Sequence, residues 1–271
     1  MKILLLNNSR KQPTQLMAEK IARILQNQNI EVVKDNGQGY YQGQDLDFII
    51  ILGGDGTFLH AFKLYGRQEA PFLGVNMGTV GFLSGVHVNK LEENIKRILN
   101  GDYYIKEKMI MEIKVLNKQG QIKVLEAFNE AVIKSKSVRL SSLLMWINDN
   151  EMGSLRGDGI IIATQTGSTG YSLSAGGPIV DPDLEAFVLT PLSSYYLNQR
   201  PLVVAADKII TFKLTQGQDN ILCLDAQIEL ELFPEDQVQI TVASNKLKIL
   251  NLEKDNFWNK IYDKLGRKFI G

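Results

Sequence analysis

The sequence predicts two domains of different class: an α/β domain with a small parallel sheet over residues 1–103, then a mainly-β domain over residues 104–253. A helical tail, residues 254–271, is predicted to pack back on them. Three observations carry this. In the first hundred residues short apolar runs alternate with segments of helical period, as in an open α/β sheet. Beyond residue 103 the helical period fades, and short apolar runs follow one another between turn residues. In the tail, Phe257, Ile261, Leu265 and Phe269 recur at every fourth position, the spacing of one helix face.

Each element follows from its pattern. Ile3–Leu6 reads as a strand, residues 13–28 as a helix with Met17, Ile21, Ile24 and Leu25 on one face, and Ile30–Val33 as a second strand. A polar, Gly-rich loop spans Asp35 to Gln44. Asp47–Leu52 is apolar on both faces, as a buried parallel strand is. Residues 57–65 read as a helix capped by Thr57 and closed by Gly66, Phe72–Val75 as a strand and Leu91–Leu99 as a helix. In the second half Met109–Leu116, Gln121–Lys134, Leu143–Ile147, Ile160–Ala163 and Ile209–Leu214 read as strands. So do Ile221–Leu224, Ile228–Leu232, Val238–Val242 and Leu247–Leu250, while Asp183–Leu192 reads as partly helical.

Charge excludes several classes of function. Thirty basic and thirty acidic side chains give a net charge of zero, and residues 1–105 hold 11 basic against 10 acidic. No polybasic module for nucleic acid or a membrane surface is present, so neither is expected as a partner. The one cysteine, Cys223, excludes an internal disulfide framework and a Cys-rich zinc site. The apolar N-terminal run is too short for a secretory signal and no run reaches membrane-spanning length, so a cytoplasmic location is expected.

Two regions promise chemistry. Gly53-Gly54-Asp55-Gly56-Thr57 follows the buried strand and opens a helix. In open α/β sheets ligands bind at this edge, and free N–H groups of a helix N-terminus suit phosphate oxygens. Asp55 would repel phosphates unless it binds Mg²⁺ or takes a proton from an attacking hydroxyl. The loop is neither a Walker A sequence nor a dinucleotide fingerprint. A second Gly-rich turn, residues 74–83, follows the next strand and could line the same pocket, with Phe82 offering a face for a base. The other region is residues 159–180, which carry no charge in a chain that is 22% charged. Thr164, Thr166, Ser168, Thr169, Tyr171, Ser172 and Ser174 line it among five glycines, a neutral polar wall suited to ribose hydroxyls, an adenine edge or a carboxamide. Upstream, Asn129-Glu130 interrupts a strand-like run, and such a pair can grip a vicinal diol.

In this order and at these spacings the pieces resemble the NAD kinase family. The resemblance rests on residues 53–57, 74–83, 129–130, 157–159 and the long Thr-x-Thr-Gly-Ser-Thr-x-Tyr-Ser-x-Ser-x-Gly-Gly-Pro signature at 164–178. Thr190-Pro191, Arg200-Pro201-Leu202, Asp225-Ala226-Gln227 and Phe257-Trp258 match as well. The long signature is specific, whereas diacylglycerol-type lipid kinases share the Gly-Gly-Asp-Gly-Thr loop. The chain departs from the family at Gln165, where Pro is common, Gly170 (Ala), Asp181 (His), Ala226 (Gly or His) and Ser194-Tyr195 (Pro-His).

The resemblance implies phosphoryl transfer from ATP, or alternatively inorganic polyphosphate, to the 2′-hydroxyl of the adenosine ribose of NAD, giving NADP. It implies Asp55 as the general base, with Gly56 and Thr57 holding the loop against phosphates. Asn129 and Glu130 would fix the adenosine. Phe82, Thr169, Gly170, Tyr171, Ser172 and Ser174 would line the adenine and nicotinamide pockets, with Arg156, Asp158, Thr166 and Ser193 nearby. Mg²⁺ would arrive with ATP, with no protein metal cage. A homo-oligomer, dimer or tetramer, assembled through the β domain is implied. A lipid kinase, which would need an apolar or basic membrane-facing surface, and a dinucleotide sensor, which would not need Asp55, are the alternatives.

Overall fold

The computed structural model describes residues 1–7, 12–78, 81–83, 85–215, 220–253 and 257–266. The chain divides into two units, Met1–Lys108 with Leu247–Gly271, and Met109–Lys246.

In chain order the first unit contains β1 (Lys2–Asn7), α1 (Gln12–Gln26), β2 (Glu31–Asp35), β3 (Phe48–Leu52), α2 (Asp55–Tyr65), β4 (Phe72–Asn76), β5 (Val86–His87) and α3 (Leu91–Leu99). Strands β2, β1, β3, β4 and β5 lie side by side, all parallel. Every residue of β3 and β4 is buried, because helices cover both sheet faces. Ala18, Ile21, Ala22 and Leu25 of α1 and Ile95 and Ile98 of α3 share one core with Ile3, Leu5, Ile50 and Leu73. From α2, the Phe58 ring lies 5.7 Å from Phe72. Strand alternation points Phe72 away from the face that holds Leu73.

The helix after the glycine loop starts earlier than its sequence predicts. It begins at Asp55, with Gly54 as the N-cap and no side-chain cap. Thr57 is therefore inside the first turn, and its N–H already donates to the Gly54 carbonyl at 3.0 Å. Gly66 closes α2 in a right-handed conformation. A Cβ there would lie 2.6 Å from the Phe62 carbonyl, so close approach and not a left-handed backbone calls for glycine.

The chain continues through β6 (Tyr104–Leu116), β7 (Ile122–Ala127), β8 (Glu130–Ser135), β9 (Ser141–Ile147), β10 (Asn150–Gly157) and β11 (Gly159–Thr164). A 3₁₀ turn (Gly167–Thr169) and α4 (Tyr171–Ser174) follow. Then come β12 (Ala186–Leu192), β13 (Leu202–Ala205), β14 (Ile210–Leu214), β15 (Asn220–Leu224), β16 (Ile228–Leu232) and β17 (Gln237–Asn251). In the second unit one sheet runs β13-β12-β11-β8-β15-β16, antiparallel throughout. Another holds β10, β9, β14 and β17, with β6 pairing β17 and β7. Met111, Ile113, Ile133, Ile162, Phe187, Phe212, Leu222 and Ile240, drawn from both sheets, form one apolar core.

Three sequence expectations change here. Asp183–Leu192 is not helical: Ala186–Leu192 is strand β12, held between β11 and β13, with Phe187 and Val188 both fully buried. The acidic residues at 183 and 185 mimic a helix start, but an apolar run buried on both faces belongs in a sheet. Gln121–Lys134 is two strands, because Phe128 and Asn129 leave the ladder to bond Asp225. Val238–Val242 and Leu247–Leu250 are one strand, β17, which pairs β14 at Ile240 and β4 at Ile249.

In the tail the helix is short. α5 covers Phe257–Ile261 and a π turn covers Tyr262–Gly266; Phe269 lies outside the described residues. The tail packs back within the first unit, with the Phe257 ring 6.5 Å from Phe82.

Candidate functional site

In the first unit the Asp55 carboxylate is held by two turns. β3 ends at Leu52, and the Gly53 N–H donates to the Val75 carbonyl at 3.0 Å, which ties the glycine loop to β4. Gly53 cannot carry a side chain, since a Cβ would meet the Thr57 hydroxyl at 2.3 Å. Gly54 and Gly56 instead face open space, with nothing within 4 Å of a Cβ. Asp55, half-buried, does not cap the helix. Its Oδ2 accepts the Phe82 N–H and its Oδ1 the Leu83 N–H, both at 3.0 Å. Each oxygen keeps one lone-pair direction for another partner. In the second turn, Asn76 Oδ1 accepts the Gly78 N–H at 2.8 Å; Thr79 and Val80 lie outside the described residues.

The tail brings cations to this place. The Lys264 ammonium lies 3.9 Å over the Phe82 ring, and Lys260 donates to the Phe82 carbonyl at 3.4 Å. Burial pushes the Lys264 pKa down, and the negative charge of Asp55 works against that. Sequence reading reduced this tail to a packing helix. Only the lysines at 260 and 264, one helical turn apart, could have pointed to it.

In the second unit the start of β8 and the ends of β11 and β15 lie side by side, since Glu130 pairs with Ala163 and Ala131 with Leu224. Asn129 and Glu130 stand at that corner. The Thr164 N–H donates to the Asn129 carbonyl at 2.8 Å, and the Thr164 hydroxyl donates to the Phe128 carbonyl at 2.7 Å. Gly167 packs so tightly on Asn129 that a Cβ would lie 2.1 Å from its carbonyl oxygen. At Gly170 a Cβ would lie 3.0 Å from Glu130 Oε2.

Among the described residues, four buried side-chain oxygens of this corner lack a hydrogen-bond partner: Asn129 Oδ1, Glu130 Oε2, Gln165 Oε1 and Thr166 Oγ1. A buried polar atom without a partner costs about 1–3 kcal/mol. Several at one place call for an explanation, an ordered water or a polar ligand that completes the set. Burial pushes the Glu130 pKa up to about 7, with the neighbouring Asp225 charge adding and the Tyr171 N–H opposing.

The other hydroxyls of the wall are largely committed inside the protein. Ser168 donates to the Gln165 carbonyl at 2.7 Å, Ser172 pairs with Thr190 at 2.8 Å, and Thr169 donates to the Thr166 carbonyl at 3.2 Å. Tyr171 and Ser174 are exposed beside the corner, and Phe82 is half-buried in the first unit. Arg156, Asp158 and Ser193 form a separate exposed group at the far ends of β10 and β12, where Arg156 stacks 5.1 Å from the Tyr195 ring centroid. Ser193 takes a left-handed backbone, φ 44°. Among the described residues no group of three or more His, Cys, Asp or Glu is placed to hold a metal, and no helix is long and apolar enough to cross a membrane.

Comparison with known proteins matches the ATP-NAD kinase N-terminal domain at residues 40–103 and the ATP-NAD kinase C-terminal domain at residues 128–252. The chain is similar to the NAD kinase of Citrifermentans bemidjiense, 37% identical over 82% of this chain and 78% of that one. With the NAD kinase of Methanothermobacter thermautotrophicus it shares 34% identity over 92% and 90%. Among solved structures, yeast NADH kinase complexed with NADH superposes with a TM-score of 0.90 at 21% identity, covering 99% of this chain and 88% of that one. An NAD kinase from Archaeoglobus fulgidus in complex with ATP gives 0.79 at 24% identity, covering 97% and 98%.

Proposed function

The chain belongs to the NAD kinase family, and on that premise we propose how its residues share the transfer of a phosphoryl group to NAD. Asp55 takes the proton of the adenosine 2′-hydroxyl. That oxygen attacks the terminal phosphorus of ATP, the bond to the ADP oxygen breaks, and NADP and ADP leave. Asp55 suits the role because its two backbone partners, at 3.0 Å each, fix the carboxylate and leave one lone-pair direction on each oxygen. The open faces of Gly54 and Gly56 let donor phosphates approach the first-turn N–H groups of α2, with Thr57 beside them. Lys264 adds a half-buried positive charge on the donor side. A divalent ion such as Mg²⁺ enters with the nucleotide: one carboxylate suits a cation that keeps most of its ligands from phosphate and water. Its chemistry is to shield phosphate charge.

Asn129 and Glu130 hold the nucleoside, with Gln165 and Thr166. The observation that carries this is the set of four unpartnered buried oxygens at that corner. Ribose hydroxyls and an adenine amino group are hydrogen-bond donors, the complement of such a set. Tyr171, Ser174, Thr169 and Gly170 border it, and Ser172 shapes it from beneath through Thr190. Arg156, Asp158 and Ser193, with Tyr195, serve the remainder of the dinucleotide. The second unit also supplies the oligomer contact, for which exposed Tyr196, Leu197, Leu202 and Val203 are apolar material. The reaction is assigned to the cytoplasm, in keeping with the lone free Cys223.

The test incubates purified protein with Mg-ATP and NAD and detects NADP with a strictly NADP-dependent dehydrogenase. Product is expected; its absence at generous enzyme concentration overturns the reading. Asp55→Asn should keep NAD affinity and lose about 10²–10⁴ in kcat, the contribution of a general base. Near-native turnover in that variant removes Asp55 from the role.

A further inference from the structure

Behind the Asn129–Glu130 corner sits a second carboxylate that no sequence argument assigned a task. Asp225 is 4% exposed and directly follows β15. Its carboxylate accepts three backbone N–H groups in a row: Phe128 at 2.7 Å, Asn129 at 2.7 Å and Glu130 at 2.9 Å. The Asp225 N–H donates back to the Glu130 carbonyl at 3.0 Å. The turn that presents it is strained. Asp225 and Ala226 both take left-handed backbone, φ 50° and 54°, and the Gln227 N–H closes onto the Leu224 carbonyl at 2.8 Å. Turns of this shape favour Asn-Gly, and a left-handed non-glycine residue costs about 1–2 kcal/mol. Strain of this kind persists where the surroundings demand it, commonly at a working site.

We propose that Asp225 is a positioning residue of the acceptor site: by gathering the Phe128, Asn129 and Glu130 amides it breaks the strand and aims the Asn129 and Glu130 side chains at the nucleoside. The inference rests on the reading of that corner as the NAD site. Without Asp225 the three amides would be free to rejoin a ladder, and β7 and β8 would run on as one strand, the arrangement that their composition favours. A side-chain amide could not replace it fully, because an Asn has one acceptor oxygen where Asp has two. Asp225 acts on Glu130 in a second way. Its negative charge opposes ionisation of Glu130, while α4 opposes this through the Tyr171 N–H; burial of Glu130 works in the same direction as Asp225.

A merely structural tie would change stability alone, so the test reads the NAD dependence of turnover against pH. Asp225→Asn is assayed for NADP formation from about pH 5.5 to 9, with Tm measured alongside. The KM for NAD should rise about tenfold or more, equivalent to about 1.4 kcal/mol, with kcat changed much less. The inflection of that KM with pH should move toward acid, since the charge that repels Glu130 is gone. An unchanged KM and an unchanged inflection overturn the proposal, whatever happens to Tm. If the native chain makes no NADP, the reading of the function fails instead. Should Asp225→Asn not fold, carboxyl-carbon NMR of the folded chain decides. The Asp225 titration should shift in Glu130→Gln relative to native, and a titration that stays in place overturns the proposal.

Discussion

Glu130→Gln should gain stability over the native chain as pH rises. The carboxyl is buried, and its pKa stands at about 7 in the folded chain against an ordinary 4.5. That gap, at about 1.4 kcal/mol for each pH unit, amounts to about 3 kcal/mol. For an acid whose folded pKa lies above its unfolded one, the stabilising contribution is complete below about pH 4.5 and is lost as pH rises through about 7. Buried Asp225, also raised, works in the same direction, whereas Asp35, lowered by the Tyr65 hydroxyl and the Gly37, Gln38 and Gly39 amides against its burial, contributes stability that is lost toward acid. Comparing native with Glu130→Gln cancels the Asp35 term, and loss of the Glu130 charge eases ionisation of Asp225, which adds to the difference in the same direction. The glutamine amide adds an offset of either sign, but that offset does not depend on pH. The difference in unfolding free energy should therefore grow in favour of the variant by about 3 kcal/mol between about pH 5 and pH 8, measured by urea unfolding without ligand. NAD affinity should run the opposite way. A ribose hydroxyl donates to the ionised carboxylate, so native affinity weakens as pH falls below about 7, and the variant's does not. A stability difference that stays flat across this range refutes the account of Glu130 as a buried, repelled carboxylate.

Three further changes test other parts of the structure. Gly81→Ala puts a Cβ 2.0 Å from Asp55 Oδ1, so the carboxylate must leave its two amides; kcat should fall about 10²-fold with little change in the KM for NAD, and a kcat within twofold of native in the coupled assay counts against the placement of Asp55. Ala226→Gly relieves a left-handed residue at φ 54°. Relief of about 1–2 kcal/mol, less the entropy glycine gains on unfolding, leaves about 0.5–1 kcal/mol and a Tm higher by about 1–4 °C; a lower Tm on thermal unfolding contradicts this. Lys264→Met keeps an apolar stem against Phe82 but removes the ammonium held 3.9 Å above the ring. The KM for ATP should rise about tenfold, about 1.4 kcal/mol, while that for NAD holds; equal changes in both would assign Lys264 to folding and not to the donor.

The parallel sheet was legible because β1, β3 and β4 are buried on both faces, and such strands are written as unbroken apolar runs. Strands with one wet side or an exposed edge were harder. β10 carries Gly153 and a register shift between Glu151 and Gly153, and β13 is mostly exposed, so neither has a regular period to read. β12 misled through its acidic approach. The break between β7 and β8 was visible as an interruption at Asn129-Glu130, but its cause was not. Asp225 lies 96 residues further along than Asn129, and no local pattern records such a partner.

The candidate site divides in the same way. Asp55 stood out in the sequence because Gly53, Gly54, Gly56 and Thr57 surround it after a buried apolar strand; its bonding to Phe82 and Leu83 depends on a turn that closes from another strand. The hydroxyl-rich run promised a wall of ligand-facing groups. Much of it is charge-free because Thr164, Ser168 and Ser172 are buried and bond one another's surroundings, which any folded turn of this density requires. What distinguishes a ligand site from a well-made turn is the remainder after those bonds are made. That remainder is Asn129 Oδ1, Glu130 Oε2, Gln165 Oε1 and Thr166 Oγ1. One of these, Gln165, stands next to Thr164, whose hydroxyl is committed as donor and acceptor, so composition alone does not separate the two. At position 165 this chain also departs from the proline common in the family, and the substitution supplies one of the unpartnered oxygens. In a Gln165→Pro chain, which loses that acceptor while restoring the family residue, the KM for NAD should rise; a KM at the native value together with a higher Tm would show that the Gln165 oxygen faces no ligand.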